Sequence, residues 1–224
     1  MELEILLKKL KNNLFKAEDY LRQRKLSEQF QNILSLGFMD NELFFSLPED
    51  VKDIYDLKGQ GGSNKYNNRL MFPCYTYDNV FCGFIGRTIN QNISAKYLLP
   101  SHILFSKETF IYNFNNVKEG NVLFVTENLI ECGRVQQCGF QAVSLNGAYK
   151  SLFKTLILPL KFNKIVFIID NDLAGKELKS YIKIILEEFT KTDFCFVQHQ
   201  EKGFDEYFVK FGPEKSIKLL EQYV

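Results

Sequence analysis

The sequence predicts an α/β protein, with a parallel sheet flanked by helices in its C-terminal half and a smaller mixed α+β, basic segment before it. Three observations carry this reading. From Gly120 onward, short runs rich in Val, Ile, Leu and Phe alternate with helical stretches, the texture a parallel sheet requires. The most apolar of these runs, Lys164 to Ile169, leads straight into Asp170-Asn171-Asp172. Between Gln60 and Lys107 the single acid Asp78 stands among Lys65, Arg69, Arg87, Lys96 and Lys107, interleaved with Tyr66, Phe72, Tyr75, Tyr77, Phe84 and Tyr97. The change of texture divides the chain into residues 1–118 and 119–224.

Composition narrows the classes. A chain of 224 residues with 46% hydrophobic content can bury a sizeable core. No apolar run has the length of a membrane span, and Met1-Glu-Leu-Glu4 does not resemble a signal peptide, so a soluble cytoplasmic protein without a membrane partner is expected. Five cysteines without a Cys-x-x-Cys spacing argue against a disulfide framework and against zinc. They read as buried free thiols. A net charge of +1 gives no overall signature of nucleic-acid binding. The basic and aromatic stretch has the composition of a surface that holds a phosphate backbone, or of core aromatics beneath solvated cations.

In the first half, Leu3, Leu7, Leu10 and Leu14 recur at helical spacing, predicting an amphipathic helix over Glu2 to Leu14. A second helical stretch covers Lys16 to Arg24. Ser27 is placed to cap a third, reaching Leu34 and ended by Gly37. The Gly- and Asn-rich segment from Lys58 to Asn68 reads as a loop and lacks the Gly-Lys-Ser/Thr ending of a nucleotide-binding P-loop. Arg69 to Pro73, Val80 to Ile85 and Lys96 to Leu98 read as strands, with Tyr77-Asp78-Asn79 as a hairpin turn.

In the second half, strands are expected over Asn121 to Thr126, Gln141 to Leu145, Lys164 to Ile169 and Asp193 to Gln198. Helices are expected over Asn128 to Gln137 and Ser151 to Leu156, along a face with Leu178, Ile182, Ile185 and Phe189, and from Pro213. Three of these strands exit toward acids: Glu127, then Asp170 with Asp172, then Asp205. Strands of one parallel sheet point the same way, so the acids converge on one edge. One Asp at such a place caps a helix; several together suit a hard divalent cation, Mg²⁺ or Mn²⁺.

The same residues resemble a known family. Strand-Glu127 followed by strand-Asp170-x-Asp172 is similar to the Toprim domain, and the stretch from about Ala17 to Phe208 resembles the RNA polymerase core of DnaG-type bacterial primases. The resemblance rests on Tyr20-Leu-Arg-Gln-Arg-Lys-Leu-Ser27, Asn68-Arg69-Leu-Met-Phe-Pro73, Gly86-Arg87 and Lys96-Tyr97-Leu98. It continues through Glu127 to Glu131, Asp170-Asn-Asp-Leu-Ala-Gly-Lys176 and Lys202-Gly-Phe-Asp205. It implies a Toprim-like sheet and a nucleotidyltransferase that makes short RNA primers on single-stranded DNA from nucleoside triphosphates. Glu127, Asp170 and Asp172 would be catalytic, and Glu127, Glu131, Asp170, Asp172 and Asp205 would hold two Mg²⁺ or Mn²⁺ ions. Arg69, Arg87, Lys96, Lys107 and Lys176 would hold nucleic acid or nucleotide.

Departures from the family pattern are Asn128 in place of Gly, Glu131 in place of Asp, Gly203 in place of the first acid of Asp-Pro-Asp, and Leu99 in place of Asn. The loss at Gly203 weakens the second metal site. Without a zinc-binding or helicase-binding domain in the sequence, a replicative helicase or another replisome protein is expected to act in trans, in a bacterial or phage-infected cell. Two other readings fit part of the pattern: a Toprim nuclease, through the acids alone, and a catalytically degenerate binding protein that docks through the Glu2 to Leu14 helix.

Overall fold

The computed structural model describes residues 1–101, 110–145, 162–187 and 193–224. The chain divides into two compact units, Met1–Ser106 and Lys107–Val224. The expected boundary at 118 lies inside the second unit. There Tyr112 forms an antiparallel bridge to Ser144, and Ile111 and Phe114 are part of the core.

The first unit opens with α1 (Leu3–Asn12), a 3₁₀ turn over Asn13–Ala17, α2 (Glu18–Gln23) and α3 (Glu28–Ile33). Ser27 caps α3 as expected, its hydroxyl accepting from the Phe30 N–H at 3.3 Å. Ser35, in the left-handed region, rather than Gly37, turns the chain out of that helix; Gly37 instead opens β1 (Gly37–Met39). Two six-residue helices follow, α4 (Asn41–Ser46) and α5 (Glu49–Ile54). The unit is completed by β2 (Arg69–Tyr75), β3 (Phe81–Thr88) and β4 (Tyr97–Leu98), in an antiparallel sheet of order β1-β2-β3-β4. Pro73, which has no N–H to give, lies beyond the end of the β1 pairing at Met71, so no ladder bond is lost on that side. The helices α1 and α4 close over one face of this sheet through Leu6, Leu10, Phe44, Met71 and Phe84. Tyr66, Phe72 and Phe84 are buried, so much of the aromatic content of the basic stretch is core.

The second unit is built on β5 (Gly120–Thr126), α6 (Leu129–Gln137), β6 (Ala142–Ser144), β7 (Phe162–Ile168), α7 (Leu173–Glu187), β8 (Asp193–Phe196), α8 (Phe204–Phe211) and α9 (Pro213–Glu221). Its sheet has the order β6-β5-β7-β8, with every pairing parallel. This is the parallel sheet flanked by helices that the sequence predicts. β5 and β7 are neighbours in register Thr126↔Ile168, which brings their carboxyl ends together. Leu123, Val125, Ile165 and Phe167 pack with Leu178, Ile182 and Ile185 of α7 in the core. The chain leaving β8 enters α8 at Phe204, so Asp205 stands in the first turn of that helix. The helix expected over Ser151 to Leu156, together with Phe189, Lys107 and His102, lies outside the described residues. The cysteines are free thiols, four buried and Cys195 partly so. Among the described residues no helix is long and apolar enough to cross a membrane.

Candidate functional site

The acids gather where β5 and β7 end. Glu127 follows Thr126 directly, and its Oε2 lies 3.4 Å from the backbone N–H of Asp170 on the neighbouring strand. One helical turn on, Glu131 reaches the same region because Asn128 caps α6, its side-chain oxygen accepting from the N–H groups of Ile130 and Glu131 at 3.1 and 3.2 Å. Glu131 is 1% exposed. Its Oε1 accepts from the Phe204 N–H at 2.8 Å, at the positive N-terminus of α8, while its Oε2 is buried with no hydrogen-bond partner. A buried, unpartnered carboxylate oxygen is costly unless a cation or proton completes it.

Asp170 and Asp172 part company just past β7. Asp170 stays half-buried beside Glu127 and Glu131. Asp172 turns to cap α7, its Oδ1 accepting from the Gly175 N–H at 2.9 Å and its Oδ2 lying 3.3 Å from the Lys202 ammonium. Asn171, between them, donates to the carbonyls of His199 and Glu201 at 2.8 Å each and accepts from Lys179 at 3.1 Å. Its own N–H bonds to the Lys202 carbonyl. These contacts fasten the 199–203 loop to the end of β7 and bring Gly203 against the acids. A Cβ on Gly203 would sit 2.7 Å from Asp170 Oδ1 and 2.8 Å from Glu131 Oε1.

The electrostatics follow from this crowding. Burial and the negative charge of Asp170 raise the carboxyls of Glu127 and Glu131 above the ordinary carboxylate range, Glu131 strongly. Burial and the charge of Asp172 raise Asp170. Asp172 is held low, its hydrogen bond from Gly175 and the Lys202 ammonium outweighing desolvation. The region is therefore rich in uncompensated negative charge, supplied by hard oxygen donors. Among the described residues, however, no three such groups are close enough to enclose an ion as they stand. The fit to a divalent cation lies in donor chemistry and in the vacant valence of Glu131 Oε2.

Asp205 is placed differently from the other acids. Its Oδ1 accepts from Arg134 Nε at 3.0 Å, and the Arg134 side chain is fully buried, with its guanidinium 4.3 Å from the centre of the Phe208 ring. This pair ties α6 to α8. Removing one member of such a buried pair would cost about 3–5 kcal/mol. Asp205 thus enters the site through its effect on the start of α8, which holds Glu131. Sequence reasoning missed Arg134, whose one signal is its i,i+3 spacing from Glu131 on α6. It also missed Lys202 and Asn171 as neighbours of the acids.

Of the basic residues, Arg69 is buried, and its guanidinium donates to the carbonyls of Gly86, Ala95 and Lys96 at 3.2–3.3 Å. It anchors the irregular segment that leads into β4. Arg87 instead lines a cavity of about 380 Å³ with Tyr20, Arg24, Thr88, Asn90 and Lys96. Its Nε donates to the Tyr20 hydroxyl at 3.0 Å, a second nitrogen donates to the Tyr97 hydroxyl, and the guanidinium lies 5.0 Å from the centre of the Tyr97 ring. Two tyrosines thereby fix the plane of the arginine. Tyr20 and Arg24 join this basic cavity although neither was singled out by charge. Lys176 stands exposed in the first turn of α7.

Comparison with known proteins supplies the context. Residues 5–118 match the family described as DNA primase catalytic core, N-terminal domain. A DNA primase of Legionella pneumophila is 30% identical over 185 residues, covering 76% of this chain and 32% of that protein. The chain thus spans about a third of the length of that curated relative. A crystal structure of a DNA primase domain from Pseudomonas aeruginosa matches with a TM-score of 0.78 at 21% identity, covering 99% of this chain and 77% of the other. A DnaG primase catalytic domain bound to ssDNA matches with a TM-score of 0.75 at 23% identity, covering 98% and 79%. At these identities the solved structures establish the fold.

Proposed function

Because this chain belongs to the DNA primase catalytic core family, we propose that it is a metal-dependent DNA-directed RNA polymerase that joins nucleoside triphosphates into short primers on single-stranded DNA. The observation that carries this reading is the convergence of Glu127, Glu131 and Asp170 where the neighbouring strands β5 and β7 end and α6 begins, with one buried carboxylate oxygen left unpartnered. Glu127, Asp170 and Glu131 would hold Mg²⁺ or Mn²⁺, with Asp172 beside them. When bound, the metal offsets the charge of the triphosphate and lowers the pKa of the attacking 3′-hydroxyl. Glu127, at the open end of β5, orients that hydroxyl and takes up its proton. Asp172 stiffens the start of α7 and thereby fixes the position of Asp170.

The basic cavity of the first unit supports the nucleic-acid part of the reading. Arg87, held flat by Tyr20 and Tyr97, presents a guanidinium suited to phosphate, and Arg24 and Lys96 add charge at the same cavity. Lys107 and Lys176 are assigned to phosphate contacts as well. Arg69 is assigned a positioning role, since its hydrogen bonds go to the backbone. A solved relative is described as bound to ssDNA, which suits a single-stranded template for this chain too. Action beside a replicative helicase or another replisome protein, in the cytoplasm of a bacterial or phage-infected cell, completes the proposal.

The test is incorporation of labelled ribonucleotides on single-stranded DNA with Mg²⁺ or Mn²⁺, comparing wild type with Asp170→Ala and Arg87→Ala. The proposal expects short RNA from wild type, none from Asp170→Ala, and weaker template binding by Arg87→Ala. Metal-dependent degradation of the DNA that needs Asp170, without any RNA product, would replace polymerase by nuclease.

A further inference from the structure

His199 is one of two histidines in the chain, and the proposed chemistry makes no use of it. It opens the 199–203 loop that Asn171 fastens to the end of β7. We propose that His199 is a proton-sensitive positioning residue: the neutral imidazole locks this loop in place, and a proton added at Nε2 releases it.

The hydrogen bonds fix where the imidazole carries its proton. Asn171 has two side-chain N–H groups, and both are spent, on the carbonyls of His199 and Glu201 at 2.8 Å each. Neither remains for His199 Nδ1, which lies 3.0 Å from the Glu201 carbonyl. A carbonyl oxygen only accepts, so Nδ1 carries the hydrogen and Nε2 the lone pair. Nε2 is buried and meets no hydrogen-bond partner among the described residues. A proton there creates a buried, charged N–H without an acceptor, which costs more than the unmet lone pair it replaces.

The surroundings do not relieve that cost. Lys179 of α7 opposes a further positive charge, while Glu201 of the loop and Glu206 of α8 favour one. Glu201 is already paired with Lys210 at 2.6 Å, and Glu206 is exposed to solvent. The Tyr207 ring of α8, its centre 6.1 Å from that of the imidazole, and the Asn171 amide complete the surroundings. Burial prevails and holds the imidazole below its ordinary value of about 6.5. The closed loop therefore binds fewer protons than the open one, and acid favours opening as pH falls from about 6.5 toward the lowered value. This loop also carries Lys202, 3.3 Å from Asp172, and Gly203, packed against Asp170 and Glu131. Its release uncovers that side of the acid cluster.

The test is NMR on the full chain, without metal or nucleotide. Imidazole nitrogen spectra are expected to show His199 as the Nδ1–H tautomer, titrating below about 6.5, with a His102→Gln protein identifying its signal. The Asn171 amide, bonded to the Lys202 carbonyl, reports the loop. Its protection from hydrogen exchange, corrected for intrinsic rates, is expected to fall about threefold or more between about pH 7.5 and about pH 5.5 in wild type. In His199→Asn, whose amide replaces the Nδ1 donor and does not titrate, the protection is expected to hold. The opposite tautomer, a titration at or above about 6.5, or a loss of protection that is absent from wild type or equal in both proteins would overturn the inference. An equal loss would assign the effect to the neighbouring carboxyls, which both proteins share. The tautomer and the titration are read on proteins that keep His199, so they decide the matter even if His199→Asn does not fold. With no metal or nucleotide present, primer synthesis can fail while the loop behaves as proposed, and the reverse.

Discussion

A Cβ added at Gly175 would lie 1.9 Å from the Asp170 carbonyl oxygen and 2.8 Å from its carbonyl carbon. Backbone at that distance cannot rotate away as a side chain does, so the third residue of α7 has to be glycine if the helix is to start this close to β7. Gly175→Ala therefore displaces the segment that carries Asp170 and Asp172. Denaturant unfolding should show a loss of about 2 kcal/mol, the cost of overpacking, and the Mn²⁺ affinity of the acid site should fall with it. Unchanged stability and affinity would mean that the approach is looser than described. At this scale the sequence was informative in part. Asp170 and Asp172 were visible as a pair, and the alternative that Asp172 caps a helix was visible too; in the fold Asp172 does cap α7 while facing Lys202. What could not be read was the fate of Asp205, because its partner Arg134 is 71 positions away and no local pattern joins them.

The elements that were legible are those with an apolar run or a strong cap. β2, β3, β5 and β7 announce themselves by hydrophobic runs, and α3 by Ser27. The elements missed, β1, α4, α5 and α8, are short, and α8 begins after Gly203 with no side-chain cap. α4 illustrates how tertiary contacts replace local signal. Asp40 accepts from the Leu43 N–H at 2.9 Å, from Asn13 at 3.2 Å and from Lys16 at 2.7 Å, so residues from the first helical segment secure the start of a helix 24 positions later. Burial pushes the Asp40 carboxyl up, but these three donors together outweigh it and hold the group below its ordinary value. A carboxyl with a lowered folded pKa contributes stability above its unfolded value, about 3.9, and loses that contribution as pH falls through the folded one. Acid titration of stability should therefore fall less steeply below about pH 4 for Asp40→Asn than for wild type. An identical profile would show that the negative charge of Asp40, with its Lys16 partner, contributes nothing to the stability of the first unit.

At the scale of the whole molecule, the net charge of +1 conceals two opposite local environments: a basic cavity in the first unit and an acid cluster in the second. Convergence of the acids was foreseeable because every strand of a parallel sheet shares one direction. The order β6-β5-β7-β8, which makes the strands of Glu127 and Asp170 immediate neighbours, was not, since pairing between distant segments leaves no local trace. The family match over residues 5–118 and the division of the chain near residue 106 differ because residues 110–118 pack with the second unit while belonging to the matched stretch.

The central claim is that these acids act on nucleotide phosphate through a bound divalent ion. It is tested most directly by primer synthesis from a ribonucleoside α-thiotriphosphate in which sulfur replaces the metal-facing oxygen. Sulfur binds Mg²⁺ poorly and Mn²⁺ better, so incorporation should slow by about tenfold or more in Mg²⁺ and recover in Mn²⁺. An equal rate for sulfur and oxygen substrates in both metals, or a slowing that Mn²⁺ does not relieve, would contradict the account.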